Sequence, residues 1–170
     1  MGLFSFVKNA GAKIFGMKTD AEKSAEVKTA SDAIKSAGEA ARKAGEGAAA
    51  AKIEQTIKDL GLKAENLKIV IDNDLVTVSG KAPDTAIKEK IILVVGNSQG
   101  IATVDDQMEV EDIGGETTFH TVEKGDTLSK IAKAVYGDAM KYPVIFEANK
   151  PMLKHPDKIY PGQVLRIPAL

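Results

Sequence analysis

Phe119-His-Thr-Val122-Glu-Lys-Gly125-Asp-Thr-Leu128-Ser-Lys-Ile131-Ala132, answered downstream by Asn149 and by Ile159-Tyr-Pro-Gly162-Gln-Val-Leu165-Arg-Ile167-Pro168, decides the fold of the C-terminal part of the chain. A short strand runs into the Gly125-Asp126 turn, and Asp126 or Thr127 can cap the helix that follows. Leu128, Ile131 and Val135 fall on one face of that helix, and Val144, Ile145 and Ala148 mark a second. Pro161-Gly162 turns the chain into a last strand from Val164 to Ile167. The order is βααβ over residues 117–168.

Upstream, residues 52–113 read as αββαβ. Ile53, Ile57 and Leu60 make a helical face stopped by Gly61. Leu67, Ile69 and Ile71 alternate with Lys68, Val70 and Asp72 as in a half-buried strand. Asp72-Asn73-Asp74 is turn chemistry, and Val76 to Ser79 return as the second strand. Pro83 suits a helix start before Ile87, Ile91, Val94 and Val95. Gly96-Asn-Ser-Gln-Gly100 then turns the chain, and Val104, Asp106, Met108 and Val110 alternate along a final strand. The fold class is therefore α+β, in two small modules.

Two segments precede them. Leu3, Val7, Ala10 and Ile14 recur at helical spacing, which predicts an amphipathic N-terminal helix over residues 1–17, interrupted at Gly11 and Gly16. Such a helix can lie on a membrane surface. Docking on its own protein fits better, because Lys8 and Lys13 are too few for an electrostatic anchor. Residues 18–51 are Ala, Lys, Glu, Ser and Gly, a semi-rigid helical spacer weakened by Gly38, Gly45 and Gly47.

Composition narrows the function. The 170 residues carry 23 Lys plus Arg against 24 Asp plus Glu, a formal charge of −1, so no basic field draws nucleic acid. Cys is absent, which excludes disulfides, thiolate catalysis and Cys-ligated metals. No apolar run reaches the roughly 18–20 residues of a membrane span. The apolar patch at the N-terminus precedes its lysine instead of following a charge, unlike a secretory signal. A cytoplasmic monomer is expected.

The 117–168 stretch resembles the LysM family, with Phe119 where Tyr is usual. Residues 52–113, with the phrase Gly100-Ile-Ala-Thr-Val104-Asp-Asp, resemble a BON domain. Their order, together with Met1-Gly-Leu-Phe, Val95-Gly-Asn97, Gly100-Ile101 and Glu147-Ala-Asn-Lys-Pro-Met-Leu153, resembles the Kbp family of bacterial potassium-binding proteins. Residues 18–51 stand outside that resemblance as a longer Ala-rich insert. The resemblance implies selective K⁺ binding, compaction around the ion and a cytoplasmic setting. It also implies a metal site of main-chain oxygens from Val7, Ala10, Ala12, Gly96, Ser98 and Ile101.

Physical chemistry permits such a site. K⁺ can exchange its water shell for carbonyl dipoles, whereas dense carboxylates suit Ca²⁺ or Mg²⁺ better. A helix C-terminus leaves four carbonyls unpaired and gathers about half a negative charge there. A helix loosened at Gly11 and another ending near Gly96 offer such ends.

A peptidoglycan-type glycan bound by LysM in the cell envelope is the competing function. Its groove, as the LysM resemblance implies, lies between Gly125, Asp126, Thr127 and Leu128 on one side and Asn149, Lys150, Pro151 and Ile159 on the other. The same residues are also what the turn and helix cap require, and that structural role is favoured. A third possibility is a stress-protective scaffold acting through the Ala-rich segment. Other constellations are weak. An EF-hand reading of Asp72 to Asp74 would put Pro83 where a bidentate Glu is needed. Asp105 and Asp106 are neighbours on a strand and point to opposite faces. His120 and His155 lack companions at metal-ligand spacing. No catalytic arrangement is evident, and a non-enzymatic binding protein is expected.

Overall fold

The computed structural model describes residues 2–7, 32–112, 114–115 and 117–170. The first module is a four-stranded sheet covered by two helices. Strand β1 (Gly2–Ser5) comes first and helix α1 (Asp32–Asp59) next; β2 (Glu65–Asp72) and β3 (Leu75–Asp84) form a hairpin. Helix α2 (Thr85–Gly96) crosses over to β4 (Thr103–Asp112), which lies parallel to β3, as a crossover of this length requires. The sheet order is β1-β4-β3-β2. The second module pairs β5 (Thr117–Thr121) with β6 (Val164–Pro168) in antiparallel fashion. Between them lie α3 (Leu128–Tyr136), a 3₁₀ turn (Ala139–Lys141) and α4 (Tyr142–Ala148).

The α+β class and both module patterns are as the sequence predicts, but the N-terminus differs. Gly2–Ser5 is a strand on the free side of β4, with Gly2 opposite Asp106 and Ser5 opposite Thr103. The predicted helix is wrong there, and the rest of it, residues 8–17, lies outside the described residues. Leu-Phe-Ser-Phe also alternates with period two: Leu3 faces out while Phe4 and Phe6 pack against the core. Pairing also satisfies the otherwise open edge of β4. That edge outweighs the helical spacing.

The spacer is corrected in part too. Helix α1 begins at Asp32, so the second half of the Ala-rich stretch is the start of the BON helix. Gly38, Gly45 and Gly47 interrupt nothing, and a Cβ at each would meet open space. Ala, Lys and Glu carry the helix past them, and the end of the helix is anchored by Ala50, Ile53 and Ile57. Arg42 and Glu46 add a polar clamp. The Arg42 guanidinium reaches Asp72 Oδ1 and Asn73 Oδ1 at 3.2 Å each, and Glu46 accepts from Asn73 N–H at 2.9 Å. The Asp72–Asp74 turn is thus a hairpin held against α1.

Each module has its own core. In the first, Ile57, Val76, Val78, Ile91, Val95 and Val104 are fully buried between helices and sheet. In the second, Leu128, Ile131, Ala132, Ile145, Leu165 and Ile167 converge. Val135, expected in that core, is 48% exposed, and Ala132 takes the inward position. Helix α2 starts two residues after Pro83, where the Asp84 carboxylate accepts from Ile87 N–H at 2.7 Å. Gly80, at φ +136°, faces the bulge at the start of β2, where a Cβ would lie 2.9 Å from Glu65 O. Truncation of Ile57 to alanine should lower stability by about 2–5 kcal/mol, the range for a large buried aliphatic, read as a lower midpoint in urea unfolding. A shift under about 0.5 kcal/mol, the surface range, would contradict this packing.

Candidate functional site

Helix α2 ends in a turn that three parts of the protein share. Asn97 N–H donates to Leu93 O at 2.9 Å, Ser98 N–H to Val95 O at 3.0 Å, and Ser98 Oγ to Val94 O at 2.8 Å. Beyond Gly100, at φ +87°, the backbone is pinned by Asp74 O, which accepts from Ala102 and Thr103 N–H at 2.9 and 3.1 Å. Ser98 O accepts a long bond, 3.5 Å from Ile101 N–H, and no other among the described residues. Gly96 O and Ile101 O accept from no donor among the described residues. The last turn of α2 carries no basic residue, so nothing there offsets the negative end of its dipole.

The N-terminal strand comes to this same turn. Phe6 N–H donates to Ala102 O at 2.7 Å, and the Phe6 ring lies on Gly96 so closely that a Cβ there would fall 2.0 Å from Cζ. Val7 follows directly and is half exposed. Of the six oxygens expected to hold a metal, those of Gly96, Ser98 and Ile101 share one turn, and the Val7 segment adjoins it. Ala10 and Ala12 lie outside the described residues. A cavity of ≈ 320 Å³ adjoins the turn, walled by Ser98, Gly100 and Ile101 and by Ala49 and Ile53 of α1.

The LysM module closes over another side of this region. Asn97, 2% exposed, places its side chain on β6: Nδ2 donates to Val164 O at 3.1 Å, and Oδ1 accepts from Val164 N–H at 2.9 Å. Leu93 and Val164 are buried yet belong to neither core, where α2 runs against β6. Arg166 Nε pairs with Glu89 at 2.5 Å and its Nη2 donates to Thr117 Oγ1 at 2.9 Å. Phe4 meets Phe119 edge to face, centroids 5.4 Å apart. Desolvation first, then the Arg166 charge, holds Lys90 below its ordinary value at this seam.

The expected glycan groove is largely occupied with its own structure. Thr127 Oγ1 accepts from Lys130 N–H at 3.2 Å and caps α3. Asp126 accepts from Glu123 N–H at 2.9 Å and meets His120 Nε2 at 3.0 Å, and these bonds hold its carboxyl below the usual value. Gly125 O accepts from Lys130 Nζ at 2.8 Å, and Leu128 is buried. Asn149, 1% exposed, gives its amide to Ile145 O and Arg166 O at 2.7 and 2.8 Å and accepts from Arg166 N–H at 2.8 Å. Its side chain is committed inside the module. Lys150 pairs with Glu147 at 2.6 Å, its bond to Pro151 is cis, and Ile159 packs against the core.

Elsewhere, Asp106 is buried and paired with Lys88 at 2.8 Å, while Asp105 accepts from Gln107 on the other face of β4. His155 Nδ1 accepts weakly from Asp157 N–H at 3.3 Å. Among the described residues no group of three or more His, Asp or Glu side chains is placed to hold a metal ion. The sequence marks the Gly96–Gly100 turn, but Phe6 and Asn97 were not among the expected site residues. The alternation of Phe4 and Phe6 was the available signal for the first; nothing local marked the second.

The BON domain family matches residues 45–112 and the LysM domain family residues 120–168. The fold and these matches define a two-module BON–LysM protein. The chain is 45% identical over 169 residues, 99% of each chain, to the potassium binding protein Kbp of Escherichia coli. It belongs to the Kbp family. A stretch of 59 residues, 35% of this chain, is 52% identical to 22% of an uncharacterized protein of Deinococcus radiodurans. Another of 80 residues, 47% of this chain, is 31% identical to 27% of an endolysin of Bacillus phage B103. No helix among the described residues is long and apolar enough to cross a membrane.

The Gly96 contact is open to test. Gly96→Ala should expel the Phe6 ring, and the Phe6 amide should then exchange with solvent faster than in the wild type. Unchanged protection would contradict the contact.

Proposed function

We propose that this protein is a cytoplasmic, sensor-like K⁺-binding protein that closes around one ion with main-chain oxygens of Val7, Ala10, Ala12, Gly96, Ser98 and Ile101. The single observation that carries the reading is the meeting of the N-terminal strand with the turn after α2. Phe6 rests on Gly96, while the Gly96 and Ile101 carbonyls accept from no described donor. The Escherichia coli relative, a potassium binding protein at 45% identity over nearly the whole chain, supports it. The chemistry is favourable. Carbonyl dipoles suit a large monovalent ion, the end of α2 contributes negative potential, and the buried carboxylate in the module, Asp106, is already neutralised by Lys88. A site of carbonyl oxygens rather than carboxylates discriminates against Ca²⁺ and Mg²⁺. The glycan reading is the weaker, because Asn149 spends its side chain on Ile145 and Arg166.

An ion that binds only the closed form raises stability by linkage. The melting temperature should climb with KCl and stay level with equal NaCl. Gly96→Pro should abolish that K⁺-dependent rise, whereas Ser98→Ala, which leaves the main-chain oxygen in place, should keep most of it. Equal responses to the two salts, or equal losses in the two variants, would refute main-chain ligation of K⁺.

A further inference from the structure

Among the described residues strand β6 has one strand neighbour, β5. In an antiparallel pair, alternate residues turn their N–H and C=O groups away from the partner. On β6 these are Val164, Arg166 and Pro168; the Pro168 carbonyl accepts from the Tyr136 hydroxyl at 2.7 Å, and Val164 and Arg166 are each closed by one asparagine side chain. Asn149, from within the LysM module, takes the N–H and C=O of Arg166 at 2.8 Å each. Asn97, from the other module, does the same for Val164 at 2.9 and 3.1 Å. A primary amide can do this because its carbonyl and NH₂ lie side by side, as in a neighbouring strand's peptide. Both polar ends of Asn97 are thereby used, so its side chain offers nothing to an ion. Its backbone, however, joins Gly96 to Ser98, two residues whose carbonyls belong to the proposed K⁺ site.

We infer that Asn97 is a positioning residue that couples the ion-binding turn to the LysM module. Strand β6 holds the Gly96–Ser98 peptides in their ligating orientation, and an ion bound there in turn holds β6 against α2. The inference rests on the K⁺ reading above and adds the route by which occupancy reaches the second module. Because coupling between two binding events is reciprocal, tighter LysM docking means tighter ion binding. The other contacts across the seam, Glu89 with Arg166 and Phe4 with Phe119, join the modules without touching the backbone of the turn. They would hold the modules together without orienting a carbonyl.

The test is hydrogen exchange of the full-length protein with and without KCl, beside calorimetric titration of K⁺. In the wild type, KCl should slow exchange at the Val164 amide, whose partner is Asn97 Oδ1. In Asn97→Ala, K⁺ affinity should fall about tenfold, the scale of losing a buried paired amide, and the amides of Leu165 and Ile167 should no longer respond to KCl. Glu89→Gln should lose less than about threefold in affinity and keep the response. If the wild type binds K⁺ with no change at Val164, or Asn97→Ala keeps both affinity and response, the coupling is wrong. The wild-type measurement stands even if the variant fails to fold. If the wild type binds no K⁺ at all, the potassium reading fails and takes this inference with it, a result distinct from binding without a response in β6.

Discussion

There is no room for a side chain at the end of α2, and most of this structure follows from what fills that space. Gly96 lets the Phe6 ring lie on the helix end, which fixes where the N-terminal strand leaves the sheet. One residue later, Asn97 fixes where the LysM module docks. Three elements distant in sequence meet at two consecutive residues. The helix end brings the Gly96 carbonyl, which accepts from no donor among the described residues, and the negative end of its dipole to that meeting point, with no lysine or arginine in its last turn to offset them.

The modules themselves are ordinary. Each has its own small aliphatic core. Among the described residues the contacts between them combine an asparagine on a strand edge, one ion pair, one aromatic pair and the small apolar patch where Leu93 and Val164 are buried. Interfaces of that kind respond to ligands, because a small differential free energy is enough to shift them. A large apolar seam would have locked the modules in a single arrangement.

Much of the fold was legible in the sequence because hydrophobic period and turn chemistry act locally. Ile69, Val76, Val78 and Val104 are buried as their alternation implies, and Thr127 caps α3. The errors arose where a longer-range partner decided. Leu3, Val7, Ala10 and Ile14 carry a helical period, yet Gly2–Ser5 pair with β4 because an open sheet edge is the stronger demand. Asp32 to Ala51 read as a spacer because it is rich in glycine and alanine, but helix propensity, the Arg42 and Glu46 bonds to the β2–β3 turn and the burial of Ala50 carry α1 through it. At the proposed site, the Gly96–Gly100 turn has its own sequence signature, but the choice of Gly96, Ser98 and Ile101 as ligands does not follow from it. Carbonyl ligands have no side-chain chemistry, so that choice came through resemblance rather than spacing. Asn97 was not selected, since an asparagine in a turn looks like local turn chemistry and its true partner lies on β6.

The central claim concerns peptide oxygens at the end of α2, and a heavy surrogate for potassium can locate them directly. Crystals grown with Tl⁺ in place of K⁺ should give one anomalous peak within coordination distance of the Gly96 and Ile101 carbonyl oxygens, lost on competition with K⁺ but not with Na⁺. A peak elsewhere on the protein, or none at this turn with Tl⁺ in excess, would contradict the account.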